Sequence, residues 1–422
     1  MDKEKKEIAK KLYIYAYPIV WTSQIMLKPK EQYMNLFHYR TLVKAKEKMY
    51  KPNNDTLYST ASFQLKSSPY VVEVPKINDR YLLVNSFNTK TEVYFSTGSK
   101  AENNGAGKYL FLYQDEPVPK GYEDCVIVRS EDSRNILMLR IENYGEDDLS
   151  KANAYQDQFK FYPVFPERIK DMGNVKVDNF IRYIEELPPE DYIGAFIRAL
   201  DDTKVASRSI QWLHELGINE KNYTKEQLSQ DFKNELKDAF QEALGEIKAY
   251  DGEEGTHSNG WYSVTKNVGT YGDNDLFRAF VTWFAYGANL PEDSIYPVLY
   301  QDDKGEILHS DSEYVIHFEK DELPHAKYFW SIGWYSEPDG FVADNELERY
   351  VINSHMSDNF KFNKDGSIDF FISKQPPEDE AFIGNWLPAE KDCTDFSLLM
   401  RIYGADEDTL EGKWKFPTVK KI

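Results

Sequence analysis

From residue 3 to about residue 27, apolar side chains recur every three or four positions, as on one face of an amphipathic helix. They include Ile8, Leu12, Tyr15 and Ile19. Pro18 lies inside this segment. Because proline lacks an amide donor and clashes with the preceding turn, we expect the helix to kink or divide there.

The spacing changes to alternation after a turn-forming segment at residues 51–55. Over residues 57–65, apolar and polar side chains fall on opposite faces of one extended strand. Further short strands are expected at residues 70–74, 80–87, 93–96, 109–113, 125–129 and 136–141. Many short strands separated by Gly, Pro, Asn and Asp are typical of a β-sandwich or a jelly roll.

The middle of the chain returns to helical spacing. Residues 177–200 and 225–250 are expected to be helical, whereas residues 251–275, rich in Gly, Asn, Ser and Tyr, predict a long loop. Asp275 is the expected N-cap of a further helix that ends near Tyr286. Strand patterns then resume from Tyr296 to the end of the chain.

Two similar segments close the two β-rich regions. Residues 136–145 contain ILMLRI followed by Tyr-Gly, and residues 398–404 contain LLMRI followed by the same pair. This repetition favours a duplicated β unit. The sequence therefore predicts an α+β, mainly β fold with two jelly-roll-like antiparallel β-sandwich units, an N-terminal helix and a central helical insertion. The expected domains are residues 1–160, 161–290 and 291–422.

Charge and cysteine content narrow the classes of partner. The net charge of −20 repels phosphate backbones and anionic lipids, so neither nucleic acid nor a membrane is an expected partner. The charged N-terminus has no apolar signal segment, which predicts a cytoplasmic protein as given. Cys125 and Cys393 are the only cysteines, and we expect them to be unpaired.

Several short motifs resemble a known pair of domain families. NLFHYRTL at residues 35–42 and PNNDTLYS at residues 52–59 resemble the domain of unknown function numbered twelve fifty-four. The second half resembles its usual companion, numbered twelve fourteen. The motifs are YGANLPED at residues 286–293, FWS at 329–331, DGS at 365–367, NWLP at 385–388, and Trp414 with Pro417. The resemblance implies two jelly-roll-like domains with helical additions and no settled reaction, and many relatives look exported.

The first candidate site combines His38, Arg40, Asn54, Asp55 and Tyr58. His38 would be the acid or base and Asp55 would orient it, while the other three side chains would bind a small polar molecule in the first β unit. These groups suit a hydrolase or a lyase that uses no organic cofactor. The alternative is structural: Asn54 and Asp55 form a turn, and Arg40 pairs with Asp55 to hold the first helix on the sheet.

A second cluster suits a carbohydrate or a small carboxylate, because it joins aromatic rings to an amide and a guanidinium. Its members are Tyr286, Trp334, Tyr335, Asn385, Trp386 and Arg401. A non-catalytic carbohydrate- or small-ligand-binding protein is therefore an alternative function. For Arg401, and for Arg140 in the other unit, the favoured role is to satisfy buried carbonyl groups.

Metal chemistry receives little support from the histidines. His309, His317 and His325 are eight residues apart, which matches neither strand nor helix ligand spacing. No cofactor is predicted, although His38 with carboxylates from elsewhere could hold a metal ion. A third alternative is a structural protein whose sandwiches make homo-oligomer contacts.

Overall fold

The computed structural model describes residues 1–26, 35–169, 184–392 and 394–422. Within these residues the chain forms seven α-helices and twenty strands. The helices are α1 Lys3–Met26, α2 Leu149–Gln156, α3 Pro189–Ala199, α4 Ser207–Glu215, α5 Gln230–Lys248, α6 Asp275–Ala285 and α7 Glu407–Leu410. The first nine strands are β1 Phe37–His38, β2 Thr56–Gln64, β3 Tyr70–Val74, β4 Leu82–Asn88, β5 Val93–Gly98, β6 Gly107–Tyr113, β7 Val126–Ser130, β8 Arg134–Glu142 and β9 Lys160–Pro163. The others are β10 Gly255–Ser258, β11 Trp261–Val264, β12 Ser294–Ile295, β13 Val298–Leu299, β14 Tyr314–Phe318, β15 Ala326–Ser336, β16 Val351–Asn353, β17 Ile368–Ser373, β18 Trp386–Pro388, β19 Phe396–Ala405 and β20 Thr418–Lys421.

The first β unit is a sandwich of two sheets. Its larger sheet has the order β1-β2-β8-β4-β5, and its smaller sheet has the order β7-β6-β3-β9. Because side chains alternate along a strand, every second residue faces the other sheet. Phe63, Leu82 and Leu139 of the larger sheet share one core with Val72 and Phe111 of the smaller sheet.

The second β unit repeats this arrangement. Its larger sheet runs β10-β11-β13-β19-β15-β16, with β12 also paired to β19, and its smaller sheet runs β18-β17-β14-β20. Ile332, Trp334 and Met400 of the larger sheet share a core with Ile316 and Phe370 of the smaller sheet. The predicted α+β, mainly β fold with two sandwich units is confirmed.

The strand orders of the two units correspond one to one. Across the larger sheets, β2-β8-β4-β5 of the first unit matches β13-β19-β15-β16 of the second, and across the smaller sheets β7-β6-β3-β9 matches β18-β17-β14-β20. Each smaller sheet contains one parallel pair, β6 with β7 and β17 with β18, so neither unit is wholly antiparallel. A short helix, α2 or α7, joins the central strand to the last strand in each. The strand order therefore agrees with the duplication that the closing segments predict.

The N-terminal helix packs with the central helices, although the sequence groups it with the first β unit. Residues of α1 share one apolar core with α3, α4, α5 and α6. Tyr13 stacks on Tyr192 of α3 with ring centroids 4.6 Å apart, and it also contacts Phe240 of α5. Pro18 does not divide the helix. In the described parts of the chain, no helix combines the length and the apolar character that crossing a bilayer requires.

Three local predictions differ from the structure or extend beyond the described residues. The loop expected at residues 251–275 contains β10 and β11, whose four-residue length and polar flanks hide them from sequence patterns. Of the helix expected at residues 177–200, the part before residue 184 lies outside the described residues, and α3 begins at Pro189. Cys125 is free, whereas Cys393 lies outside the described residues, so their separation stays a prediction.

The N-cap of α6 is Asn274, not Asp275. Asn274 Oδ1 accepts a hydrogen bond from the amide of Phe277 at 3.1 Å, while the carboxylate of Asp275 pairs with Arg208. An Asn274→Ala variant is expected to lose about 1 kcal/mol of unfolding free energy, because an amide in the first turn of the helix loses its acceptor. Urea denaturation measures this loss. Ser229→Ala, which removes the N-cap of α5, is the matched variant and should lose a similar amount.

Candidate functional site

The outer faces of the two larger sheets meet between the units. Tyr81 and Leu83 of the first unit pack against Phe329 and Tyr403 of the second. The rings of Phe329 and Tyr403 stack with centroids 4.0 Å apart, and Tyr81 meets Tyr403 at 5.2 Å. These side chains alternate with those that enter the sandwich cores, so the same strands build both the cores and the seam between the units.

A cavity of about 300 Å³ lies at this seam. Its walls come from α1, from β2 and the segment before it, from β8, and from the end of α6 with the residues that follow it. The second unit contributes β13, the residue Tyr296 just before β13, and β19. The residues that line it are Trp21, Tyr50, Lys51, Asn53, Tyr58, Arg140, Trp283, Phe284, Ala285, Tyr286, Gly287, Ala288, Tyr296, Val298, Leu399 and Arg401. Both β units and the helical region therefore contribute to one cavity.

Arg140 reaches the cavity from the central strand of the first unit. It is 3% exposed, and on β8 it alternates with Leu139 and Ile141, which enter the core. Its Nη2 donates to the carbonyl of Gly287 at 2.9 Å, and its Nη1 donates to Oδ1 of Asn289. Its Nε is buried and has no hydrogen-bond partner, and no carboxylate of the described residues forms an ion pair with it.

Arg401 occupies the equivalent place on β19. It is also 3% exposed and alternates with Met400 and Ile402, which enter the second core. Its Nη1 donates to the hydroxyl of Tyr335 at 2.7 Å, and its Nη2 donates to the carbonyl of Pro52 at 2.9 Å. Both arginines thus satisfy buried carbonyl groups, as the sequence favours, and both also line the cavity, which it does not predict.

The pKa values of the two guanidinium groups are raised. Burial lowers the pKa of Arg140, but the nearby phenol oxygens of Tyr58 and Tyr296 raise it by more. Burial likewise lowers the pKa of Arg401, whereas Tyr335 and Tyr403, together with the more remote carboxyl group of Asp55, raise it by more. Two permanent positive charges therefore stand at the cavity, surrounded mainly by neutral oxygen atoms.

Tyr58 lies between these charges. It is opposite Arg140 in the β2–β8 register, and the guanidinium carbon lies 5.1 Å from its ring centroid. Nδ2 of Asn53 donates to the Tyr58 hydroxyl at 3.2 Å and to the Tyr403 hydroxyl at 2.7 Å. Burial raises the pKa of Tyr58, but Arg140 above all, with Arg401 and Asn53, lowers it by more, so the net shift is downward.

Asp55 and Asn54 lie behind the cavity and do not line it. The carboxyl group of Asp55 is buried and accepts hydrogen bonds from Ser331 Oγ at 2.5 Å and from Asn353 Nδ2 at 3.5 Å, both in the second unit. Burial raises its pKa, and the charge of Arg401 only partly opposes that shift. Asn54 donates to the carbonyl of Val43 at 2.6 Å. The hydrogen bonds of Asp55 therefore join the two units, whereas that of Asn54 is local to the segment before β2.

The hydrogen bond expected between His38 and Asp55 is not formed. Nδ1 of His38 lies 2.7 Å from Ser59 Oγ on the paired strand, because β1 places the imidazole beside α2. Burial and the charge of Arg40 lower the pKa of His38, and Asp157 opposes them only in part. Arg40 itself pairs with Asp157 at 2.6 Å, so its expected alternative pair with Asp55 is absent as well.

The second predicted cluster is dispersed. Tyr286 lines the cavity, and Tyr335 supports Arg401 from behind through its hydroxyl, which also donates to the carbonyl of Pro52 at 2.8 Å. The other three members take part in packing or in hydrogen bonds to backbone carbonyls and line no part of the cavity. They are Trp334, which stacks on Phe396 at 5.3 Å, Asn385, which donates to the carbonyls of Lys361 and Asp369, and Trp386, whose indole donates to the carbonyl of Ser373.

Metal ligands are not grouped in the described parts of the chain, where no three His, Cys, Asp or Glu side chains come together as a set that could hold an ion. Instead, the three equally spaced histidines each lie beside an aspartate. The pairs are His309 with Asp311, His317 with Asp369, and His325 with Asp406.

The repeated arginine is the sequence signal that could have located the cavity. Arg140 and Arg401 occupy the same place in the two closing segments, and each is flanked by apolar residues of a predicted strand. A charged residue inside a buried strand, repeated in both halves, indicates a common requirement for that charge. The aromatic walls give no comparable signal, because Trp21 and Trp283 come from distant helices.

Comparison with known families agrees with this two-part construction. Residues 34–163 match the family described as protein of unknown function (DUF1254), and residues 293–407 match the one described as protein of unknown function (DUF1214). The chain belongs to the two-part DUF1254–DUF1214 family. In this DUF1254–DUF1214 protein, Tyr58 and Arg140 lie in the first matched segment and Arg401 in the second, so the cavity is built by both. None of the curated proteins matches the chain.

Two solved structures resemble the DUF1254–DUF1214 chain over nearly its whole length. The crystal structure of the VPA0106 protein from Vibrio parahaemolyticus is 19% identical, covers 99% of this chain and 100% of its own, and superposes with a TM-score of 0.71. An uncharacterised protein from Burkholderia cenocepacia is 13% identical, with 99% and 94% coverage and a TM-score of 0.45. The first of these shares the fold.

Proposed function

We propose that the cavity between the two β units binds a small organic anion, namely a carboxylate carried on an apolar or aromatic body. The observation that carries this proposal is that two buried guanidinium groups, neither in an ion pair with a described carboxylate, line one cavity. Oxyanions are the ligands that guanidinium groups bind with the best geometry.

The energetics of burial support an anionic ligand. Removing a charged group from water costs several kcal/mol unless an opposite charge compensates it. The direct partners of Arg140 and Arg401 are carbonyl, amide and phenol oxygens. A bound carboxylate would supply the compensating charge, and Nε of Arg140 is a donor still without an acceptor.

The remaining walls suit an apolar body. Trp21, Trp283 and Tyr286 offer ring surface, and Val298 and Leu399 offer aliphatic surface. A volume of about 300 Å³ is at the lower end for small-molecule sites, which favours a ligand with one ring or a short chain. The small polar molecule that the sequence predicts would then bind between the units. The carbohydrate alternative is disfavoured, because Trp334 and Trp386, the rings on which a sugar would stack, are buried outside the cavity.

Calorimetry with benzoate tests this proposal, and benzamide is the matched neutral ligand. We expect benzoate to bind at least about tenfold more tightly than benzamide, since a charge-assisted hydrogen bond contributes about 1.5–3 kcal/mol. For the same reason, Arg401→Met and Arg140→Met should each weaken benzoate binding about 10- to 100-fold.

Arg349→Met is the control variant. Arg349 also donates to two backbone carbonyl groups, those of Ile383 and Trp386, but it does not line the cavity. Its replacement should leave benzoate affinity unchanged. Equal binding of benzamide and benzoate, or an equal loss in Arg349→Met, would contradict the proposal. Should either methionine variant fail to fold, Arg140→Lys and Arg401→Lys keep the charge while removing the planar fork, and they should weaken binding by less.

A further inference from the structure

The hydroxyl group of Tyr58 lies beside hydrogen-bond donors. Nδ2 of Asn53 donates to it at 3.2 Å, and the guanidinium carbon of Arg140 lies 5.1 Å from the centroid of the Tyr58 ring. Neither group can accept a hydrogen bond at those atoms. Within the described parts of the chain, no acceptor is bonded to this hydroxyl, and the half-buried side chain lines the cavity.

Two fully buried tyrosines of the protein have an acceptor for the hydroxyl proton. The Tyr335 hydroxyl accepts from Arg401 and donates to the carbonyl of Pro52. The Tyr192 hydroxyl donates to the carbonyl of Tyr13 in the helical core. A phenol that has donors and lacks an acceptor is arranged either to hold its oxygen as phenolate or to give its proton to a ligand.

We propose that Tyr58 takes up a proton from solvent when the anion binds in the cavity and then donates a hydrogen bond to it, so that anion binding is coupled to protonation of Tyr58. This inference rests on the proposed function, and it extends it by naming the acid–base group of the site. The ligand class is then an oxyanion that binds together with one proton.

The charges around Tyr58 give the direction of the coupling. Arg140 and Arg401 favour the phenolate and lower the pKa of Tyr58 against the effect of burial. A carboxylate that binds between these guanidinium groups compensates their positive charge and places a negative charge near the phenol oxygen. Both effects favour the neutral phenol. The charged, polar and titratable groups near Tyr58 are Arg140 of β8, Arg401 and Tyr403 of β19, Tyr296 before β13, and Lys51 and Asn53 before β2, while Asp55 lies behind the cavity.

The proton balance is simple. Above its pKa, Tyr58 is a phenolate; when the carboxylate binds, one proton moves from the buffer to the phenolate oxygen. The new O–H then donates to an oxygen atom of the ligand, and no bond of the ligand breaks. The same exchange with an acidic group of a bound substrate would let Tyr58 act as a general acid or base.

Benzoate calorimetry in two buffers with different ionisation enthalpies measures the protons taken up on binding. For the wild type, uptake should rise towards about one proton as the pH is raised through the pKa of Tyr58, which lies below the usual tyrosine value of about 10, and affinity should fall up to about tenfold per pH unit above that pKa. Tyr58→Phe should show neither uptake nor this pH dependence. Tyr192→Phe, the matched control, should behave as the wild type.

Spectrophotometric titration of the phenol groups gives a second measurement that needs no ligand. The first tyrosine to ionise as the pH rises should be missing in Tyr58→Phe and present in Tyr192→Phe. If benzoate binds without proton uptake, or if Tyr58→Phe keeps the uptake, the inference fails and the anion site stands. If benzoate does not bind the wild type, both proposals fail.

Discussion

Replacing Trp334 by Ala is expected to lower the free energy of unfolding by about 3–5 kcal/mol, among the largest losses for a single core substitution. The indole is 1% exposed and fills the core between the two sheets of the second unit, where it stacks on Phe396. Deleting it removes apolar contacts and leaves a cavity that the rigid strands around it cannot close. Denaturant unfolding followed by circular dichroism measures the loss.

The comparison variant is Trp283→Ala, since Trp283 is only partly buried and lines the cavity at the seam. It should lose less stability than Trp334→Ala and should weaken benzoate binding, which Trp334→Phe should leave intact. This pair separates a packing role from a ligand-binding role. A Trp334→Ala protein as stable as the wild type would show that the ring is not a core residue and would revive the carbohydrate alternative.

The Arg80→Met variant is expected to show the second large effect, a loss of about 3–5 kcal/mol of unfolding free energy. The side chain of Arg80 is fully buried and forms two parallel hydrogen bonds with the carboxylate of Asp148, at 2.6 Å and 3.0 Å. Its guanidinium also lies between the rings of Tyr144 and Tyr155, about 5 Å from each centroid. Removing the arginine leaves a largely buried carboxylate without its counter-charge, and urea denaturation would record the loss.

Arg40→Met is the matched control, because its ion pair with Asp157 is exposed and should contribute at most about 1 kcal/mol. The pH dependence gives a further test. Burial raises the pKa of Asp148, but the hydrogen bonds from Arg80 lower it by more. A lowered pKa stabilises the fold above about pH 4 and loses that effect as the pH falls further. The difference in unfolding free energy between the wild type and Arg80→Met should therefore become smaller in acid. A difference that does not change with pH would contradict a stabilising ion pair between Arg80 and Asp148.

Strands were easier to predict than their contacts. Residues 70–74 form β3 with the expected bounds, and the segment expected at residues 136–141 lies inside β8. Alternation of apolar side chains is a local property, and it reflects directly which face of a strand enters the core. Strands β10 and β11 escaped prediction because they are short and their pairing with the second sheet, not their own pattern, makes them strands.

The candidate site was predicted poorly, and the reason is physical. His38 and Asp55 are close in sequence and were expected to meet, but His38 pairs with Ser59 inside β2, whereas Asp55 precedes β2 and is hydrogen-bonded to the second unit. Tyr58 was the one member of that group placed at the cavity. Its neighbour Arg401 comes from the far half of the chain, and only the packing of two complete sheets brings them together.

The repeated strand order has a consequence for how a ligand can lie. If two identical subunits met across this seam, each would contribute the same arginine, and a ligand could bind equally well in either orientation. Here both halves belong to one polypeptide and have diverged: Arg140 is held by Asn289 and Gly287, whereas Arg401 is held by Tyr335 and Pro52. The surroundings of the two arginines are therefore chemically unequal, so the two orientations of an elongated ligand would differ in energy.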